Sequence, residues 1–209
     1  MIENILAALA GFAISVITSM GYAGIVLLMA IESACIPLPS EIIMPFAGYL
    51  VSTGTFTLVG VATAAAIGEN IGAAIAYQLG KSGGRPLVEK YGPYILIDAN
   101  HLDQADRFFA RYGSIAALVG RLLPVVRTFI AFPAGVARMN RFKFHLYTTI
   151  GSWPWCFGLA WIGMKLGDKW NSDPRIKAAF HSADVVIVAA VLAAVAFFVW
   201  HRLRGRKKR

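Results

Sequence analysis

GRLLPVVRTFIAFPAG, residues 120–135, lies in an otherwise mostly apolar chain yet holds two arginines, Arg121 and Arg127, with Pro124 between them. An arginine at membrane depth costs roughly 2.5 kcal/mol or more, so it is rarely placed there without a partner and a task. A proline inside a helix removes a backbone donor and clashes with the preceding turn. The stretch therefore reads as a broken, re-entrant segment whose arginines bind an anion. The apolar setting is chain-wide: 57% of the 209 residues are hydrophobic, 15% are charged, and the mean hydropathy is +0.62. Such a composition describes an integral membrane protein.

The formal net charge is +9. Much of it sits at the ends of apolar runs and in the tail, where 201–209 (HRLRGRKKR) carries six Lys or Arg. That is the pattern of cytoplasmic membrane flanks, and it argues against nucleic acid as a partner. Cys35 and Cys156 lie in apolar segments without metal-ligand spacing, and no metal or cofactor is expected. The N-terminus has no basic region of the kind that opens a cleaved signal peptide.

Outward from the opening stretch, seven other parts of the chain can be placed. Residues 2–19 are apolar enough for a crossing helix or an interfacial one, and the topology favours crossing. Residues 20–53 are apolar but hold Glu32, Pro37, Pro39, Glu41 and Pro45. Such a run suits a hairpin that enters and leaves by one face, with Pro37 and Pro39 breaking it. Residues 57–80 form a spanning helix with a seam of small residues, in which Gly68 and Gly72 share a face; Glu69 and Asn70 lie near its middle. Residues 81–112 mix both charge signs with Gly83-Gly84, Pro86 and Pro93, and read as a loop followed by an amphipathic helix from about residue 100. Residues 144–167 form a second spanning helix. A polar connection follows at 168–182, and 183–201 is the cleanest transmembrane run, stopped by the basic tail 202–209.

Segments 24–80 and 113–167 align as a repeat. Gly24 falls opposite Gly113 and Glu32 opposite Arg121. Pro45-Phe46-Ala47-Gly48 matches Pro133-Ala134-Gly135, and Glu41 falls opposite Arg127. Each copy is a broken hairpin followed by one spanning helix. A hairpin crosses nothing, so the second copy enters from the opposite face and the repeat is inverted. The expected fold is an all-α polytopic membrane protein, a single domain over residues 1–209. It has about four spanning helices and two re-entrant hairpins, with repeat 1 at about 20–80 and repeat 2 at about 113–167. The basic tail places the C-terminus in the cytoplasm. The linker 81–112 is then cytoplasmic, the first hairpin enters from outside, and the N-terminus is cytoplasmic if 2–19 spans.

Two hairpins from opposite faces can meet near the midplane, one bringing Glu32 and Glu41, the other Arg121 and Arg127. Burying four such charges apart is very costly, and bringing them together offsets much of the cost. They could be a static cluster that locks the hairpins. They could instead alternate between pairing and holding an anion while a carboxylate takes a proton. The planar fork of arginine suits a phosphate. Glu69, Asn70 and Thr128 are accessory candidates; Glu69 and Asn70 could line a lipid path or relay a proton, or could equally make a hydrogen bond that joins two helices.

GRLLPVVRT resembles the G-R-x-x-P-x-x-R-T signature of the DedA family, also known as SNARE-associated Golgi or VTT-domain proteins. The following PAG, with Met139, Phe144, Thr148, Gly151 and Trp155, fits the same block, and IESACIPLPSE resembles the family's first hairpin. The resemblance covers about residues 20–167. The chain departs from the family pattern at Ser40-Glu41, where glycine-aspartate is common, and at Thr148, often asparagine. The resemblance implies two re-entrant hairpins in an inverted repeat in the bacterial inner membrane. It also implies movement of undecaprenyl phosphate, an anionic isoprenoid lipid carrier, across that membrane for recycling in cell-envelope synthesis. The implied acidic pair for proton coupling is Glu32 and Glu41, and the implied phosphate-binding pair is Arg121 and Arg127. With no phosphate-binding P-loop in the sequence, a proton or sodium gradient would supply the drive. Competing readings are a phospholipid scramblase or proton-coupled exporter using the same site, a lipid-phosphate enzyme such as a membrane phosphatase, and a purely structural membrane protein.

Overall fold

A computed structural model describes residues 2–36, 38, 40–95 and 115–167. Outside the described residues lie Pro37, Pro39, the amphipathic stretch expected near 100–112, the connection 168–182, the apolar run 183–201 and the basic tail. Among the described residues the chain is entirely helical: α1 Ile2–Met20, α2 Tyr22–Ser33, α3 Ser40–Ser52, α4 Leu58–Ile95, α5 Ile115–Arg121, α6 Pro124–Phe129, α7 Ala131–Val136 and α8 Arg141–Leu166.

Local chemistry explains the boundaries. Gly21 (φ 62°) separates α1 from α2, a left-handed conformation that costs glycine little. The helix carrying Arg121 stops there, and α6 restarts with Pro124 in its first turn, where the missing proline N–H has no intrahelical partner to lose. Asn140 caps α8, its Oδ1 accepting from the Lys143 amide at 3.1 Å.

One boundary differs from expectation. The helix predicted for 57–80 continues without interruption to Ile95, through Gly83-Gly84, Pro86 and Pro93. Between the breakers stand Arg85, Leu87, Glu89 and Lys90, all strong helix formers, and their summed preference outweighs residues that looked decisive one at a time.

The packing is close and depends on small residues. Helix α2 lies along α4, α3 and α4 each pack on α8, and α7 packs on α4. On α4, Gly68 and Gly72 both face α2, so the face inferred from their spacing is a contact. A methyl group at Gly72 would run into the Ala30 carbonyl and stand 2.9 Å from the Ala34 amide nitrogen. Both obstacles are backbone and neither can swing aside. Gly72→Ala should therefore destabilise by about 1–3 kcal/mol in thermal unfolding of the detergent-solubilised protein. Gly158→Ala, whose new methyl meets nothing within 4 Å, is the matched control and should change little.

Two apolar clusters result. One gathers α1, α2, α3, α4 and α8 around Ile17, Leu28, Met44, Val61 and Ala160. The other gathers α4, α5, α7 and α8 around Tyr77, Ala117, Ala134 and Phe144, with the Tyr77 and Phe144 rings stacked at 4.8 Å. Along α4 the first cluster ends at Ala65 and the second begins at Ala73. The charged centre occupies the interval.

The exterior is apolar. Val59, Ile67, Ile71, Ile75 and Leu79 form an exposed stripe on α4, while Glu32, Glu69, Arg121 and Arg127 are buried. Large apolar groups outside and charges inside suit a lipid surround. Among the described residues, Leu58–Gly83 is the stretch of helix both long and apolar enough to cross a bilayer.

Candidate functional site

Arg121 and Arg127 are six positions apart. On one uninterrupted helix they would point about 120° away from each other. The break at Leu122-Leu123 cancels that divergence, and both guanidinium groups converge on one carboxylate, that of Glu69 on α4. Arg121 Nη1 donates to Glu69 Oε2 at 3.1 Å, and Arg127 Nη2 pairs with Glu69 Oε1. Two further donors come from α8: Ser152 Oγ to Oε2 at 2.6 Å and Cys156 Sγ to Oε1 at 3.6 Å. Glu69, Arg121 and Arg127 are each 1% exposed.

The end of α2 closes the other side. Ser33 Oγ accepts from Arg121 Nη1 at 3.0 Å, and Glu32 Oε1 stands 3.9 Å from Arg127 Nε. Trp155 presents its ring 5.3 Å from the Arg127 guanidinium carbon, a cation–π arrangement. The Cys35 thiol, just past α2, donates to the Thr128 carbonyl at 3.6 Å, so the break after α2 meets the broken segment around Pro124. Cys35 and Cys156 are both free thiols. Gly151 makes room for Arg121, whose Cβ would stand 2.7 Å from a methyl at that position.

Two arginines and two glutamates make the cluster formally neutral, as burial at this depth demands. Its hydrogen bonding is incomplete, however. Arg121 Nε and Nη2, Arg127 Nη1 and Glu32 Oε2 are buried without partners among the described residues. A buried polar group left unpaired costs about 1–3 kcal/mol, and a charged one more.

The sequence-derived residues are thus placed as follows. Arg121, Arg127 and Glu32 come together. Glu41, in the first turn of α3, is half-buried and makes no ion pair with either arginine among the described residues; Glu69 stands where the second carboxylate was expected. Thr128 lies beside Arg127 and contributes its carbonyl. Asn70, on the adjoining face of α4, bonds Thr149 Oγ1 at 2.8 Å and His145 Nδ1 at 3.0 Å, so it joins α4 to α8. It also lines an open groove of about 450 Å³ with Ile67, Ile71 and Trp153. Sequence reading missed Ser33, Ser152 and Cys156. The last two are one helical turn apart on α8, a polar seam in an apolar helix that could have pointed to them.

Residues 38–165, which carry α3, α4 and the whole arginine segment, match the VTT domain. The chain belongs to the VTT-domain, or DedA, family. Undecaprenyl phosphate transporter A of Bacillus subtilis (strain 168) is 38% identical to it over 89% of this chain and 91% of that protein. Undecaprenyl phosphate transporter A of Staphylococcus aureus (strain NCTC 8325 / PS 47) is 30% identical over 92% of this chain and 95% of its own. An alkaline phosphatase-like protein of Lactococcus lactis subsp. lactis (strain IL1403) is 30% identical over 93% and 94%. No solved structure matches. This VTT-domain protein is a membrane protein, in keeping with its apolar exterior and buried charges.

Proposed function

We propose that this VTT-domain protein is a secondary transporter that moves an anionic isoprenoid lipid, undecaprenyl phosphate, across the bacterial inner membrane for recycling in cell-envelope synthesis. The observation that carries the proposal is the convergence of Arg121 and Arg127, buried, with donors to spare. A phosphate offers several acceptor oxygens to the planar forks of two arginines. Two relatives named for transport of this lipid support the same substrate.

In this reading Arg121 and Arg127 hold the phosphate and the prenyl chain remains in lipid. Glu32 and Glu41 carry protons or pair with the arginines as the site empties, and a proton or sodium gradient drives the cycle. The segments α2–α3 and α5–α7 are re-entrant hairpins of an inverted repeat. Support comes from reciprocal packing, since α3 of the first repeat lies on α8 of the second and α7 of the second lies on α4 of the first. The helices α1, α4 and α8 span, and the sequence expectation for 183–201, outside the described residues, supplies a fourth span, with both termini cytoplasmic. Pro124 fixes the bend that aims the arginines; Pro37 and Pro39, expected from the sequence to break the first hairpin, lie outside the described residues.

A lipid-phosphate enzyme is the second reading, favoured by the name of the Lactococcus relative. Against it, His145, the histidine among the described residues, bonds Asn70 beside the groove and does not enter the arginine cluster as a phosphatase base would.

Reconstitution in liposomes with labelled undecaprenyl phosphate separates the readings. The wild type should change the lipid's sidedness without releasing inorganic phosphate. Arg121→Ala, Arg127→Lys and Glu41→Gln should each slow the movement. Transport that survives all three substitutions would sink the mechanism, and phosphate release by the wild type would establish the enzyme.

A further inference from the structure

We propose that the Glu69 carboxylate is a tethered stand-in for the lipid phosphate, occupying the anion seat between Arg121 and Arg127 until substrate displaces it. The inference rests on the transport reading above and deepens it.

Four donors surround the Glu69 carboxylate: Arg121 Nη1, Arg127 Nη2, Ser152 Oγ and Cys156 Sγ. A carboxylate has about four lone-pair positions, so Glu69 is saturated. The arginines are not: Arg121 Nε and Nη2 and Arg127 Nη1 remain buried and unpartnered. The seat therefore holds more donors than its occupant can use. A phosphate monoester, with three terminal oxygens, could accept more of them. The occupant is also fixed to the middle of a long helix packed on α2 through glycine, so it is present at full effective concentration whenever the seat is vacant.

Two consequences follow for a transport cycle. Incoming phosphate competes with Glu69 for the same donors, which weakens binding. On release Glu69 refills the seat, which lowers the cost of leaving two arginines unpaired in the membrane and speeds return. Removing the negative charge while keeping the side chain's shape should therefore tighten binding and slow turnover together. Loss of a merely structural Glu69 would slow turnover without tightening binding.

The test uses the full chain in detergent for binding and in liposomes for transport, with farnesyl phosphate as the binding probe and undecaprenyl phosphate as the transported lipid. Glu69→Gln is expected to bind farnesyl phosphate about tenfold more tightly than wild type, equivalent to about 1.4 kcal/mol of relieved competition. Its half-saturation for transport should fall, and so should its maximal rate. Glu69→Asp keeps the charge but withdraws it by one methylene, and should bind with intermediate affinity. Unchanged or weaker binding in both variants would overturn the proposal. If wild type and Arg127→Ala bind the probe equally, the transport reading itself fails, an outcome distinct from failure of the Glu69 inference. Should Glu69→Gln not survive purification, the Glu69→Asp measurement decides alone.

Discussion

Replacing Arg127 by alanine is expected to reduce undecaprenyl phosphate transport in liposomes by about a hundredfold, with Arg127→Lys retaining roughly a tenth of wild-type activity. Arg127 makes three kinds of contact: a pair with Glu69, an ion pair at 3.9 Å with Glu32 and a cation–π contact with Trp155. Alanine removes all three and half of the positive charge in the seat. Hydrogen bonds to charged groups contribute about 1.5–3 kcal/mol each, so losing the phosphate contacts of one arginine alone accounts for a factor of this size. Lysine restores the charge as a point but cannot donate in a fork, and it stacks less well on an indole. The measurement is the initial rate at which labelled lipid becomes accessible on the far face. Equal rates for alanine and lysine would show that charge is irrelevant at this position.

The second large effect concerns stability. Glu69→Ala leaves two fully buried arginines facing each other with only Glu32 for compensation. Breaking a buried pair by removing one partner costs about 3–5 kcal/mol, which corresponds to a fall in melting temperature of roughly 10 °C for a chain of this size. Differential scanning of the purified, ligand-free protein measures it. The double variant Glu69→Ala with Arg127→Ala should be less destabilised than the sum of the two single changes, because the second removes the charge that the first had orphaned. Strict additivity would mean that the two side chains are not coupled, contrary to their contact.

These expectations depend on residues of unequal legibility in the sequence. Arg121 and Arg127 stood out because strongly polar groups are rare in apolar runs, and Pro124 because a proline between them had to interrupt the helix. Gly68 and Gly72 were readable as a contact face from their spacing alone, and α2 lies on that face. The extension of α4 to Ile95 was not readable from its breakers, since four glycine or proline positions concealed the helix formers around them. Glu41 drew attention through its alignment with Arg127, yet it stands on α3 without an ion pair to either arginine among the described residues. Glu69, which the sequence marks only as an accessory candidate inside a spanning helix, lies at the centre of the charged cluster.

The sequence by itself determined that the chain is helical and apolar, that the arginine segment is broken at Pro124, and that buried charge of both signs has to be reconciled within it. Those properties follow from local chemistry: side-chain polarity, proline geometry and the period of the helix. Only the tertiary structure decided which carboxylate meets the arginines. Glu69 is 52 positions from Arg121, and no local rule links them. Their meeting is set by how closely α2 and α7 pack against α4, which depends on glycines at the crossings, and by a two-residue break that turns both guanidinium groups toward the same point.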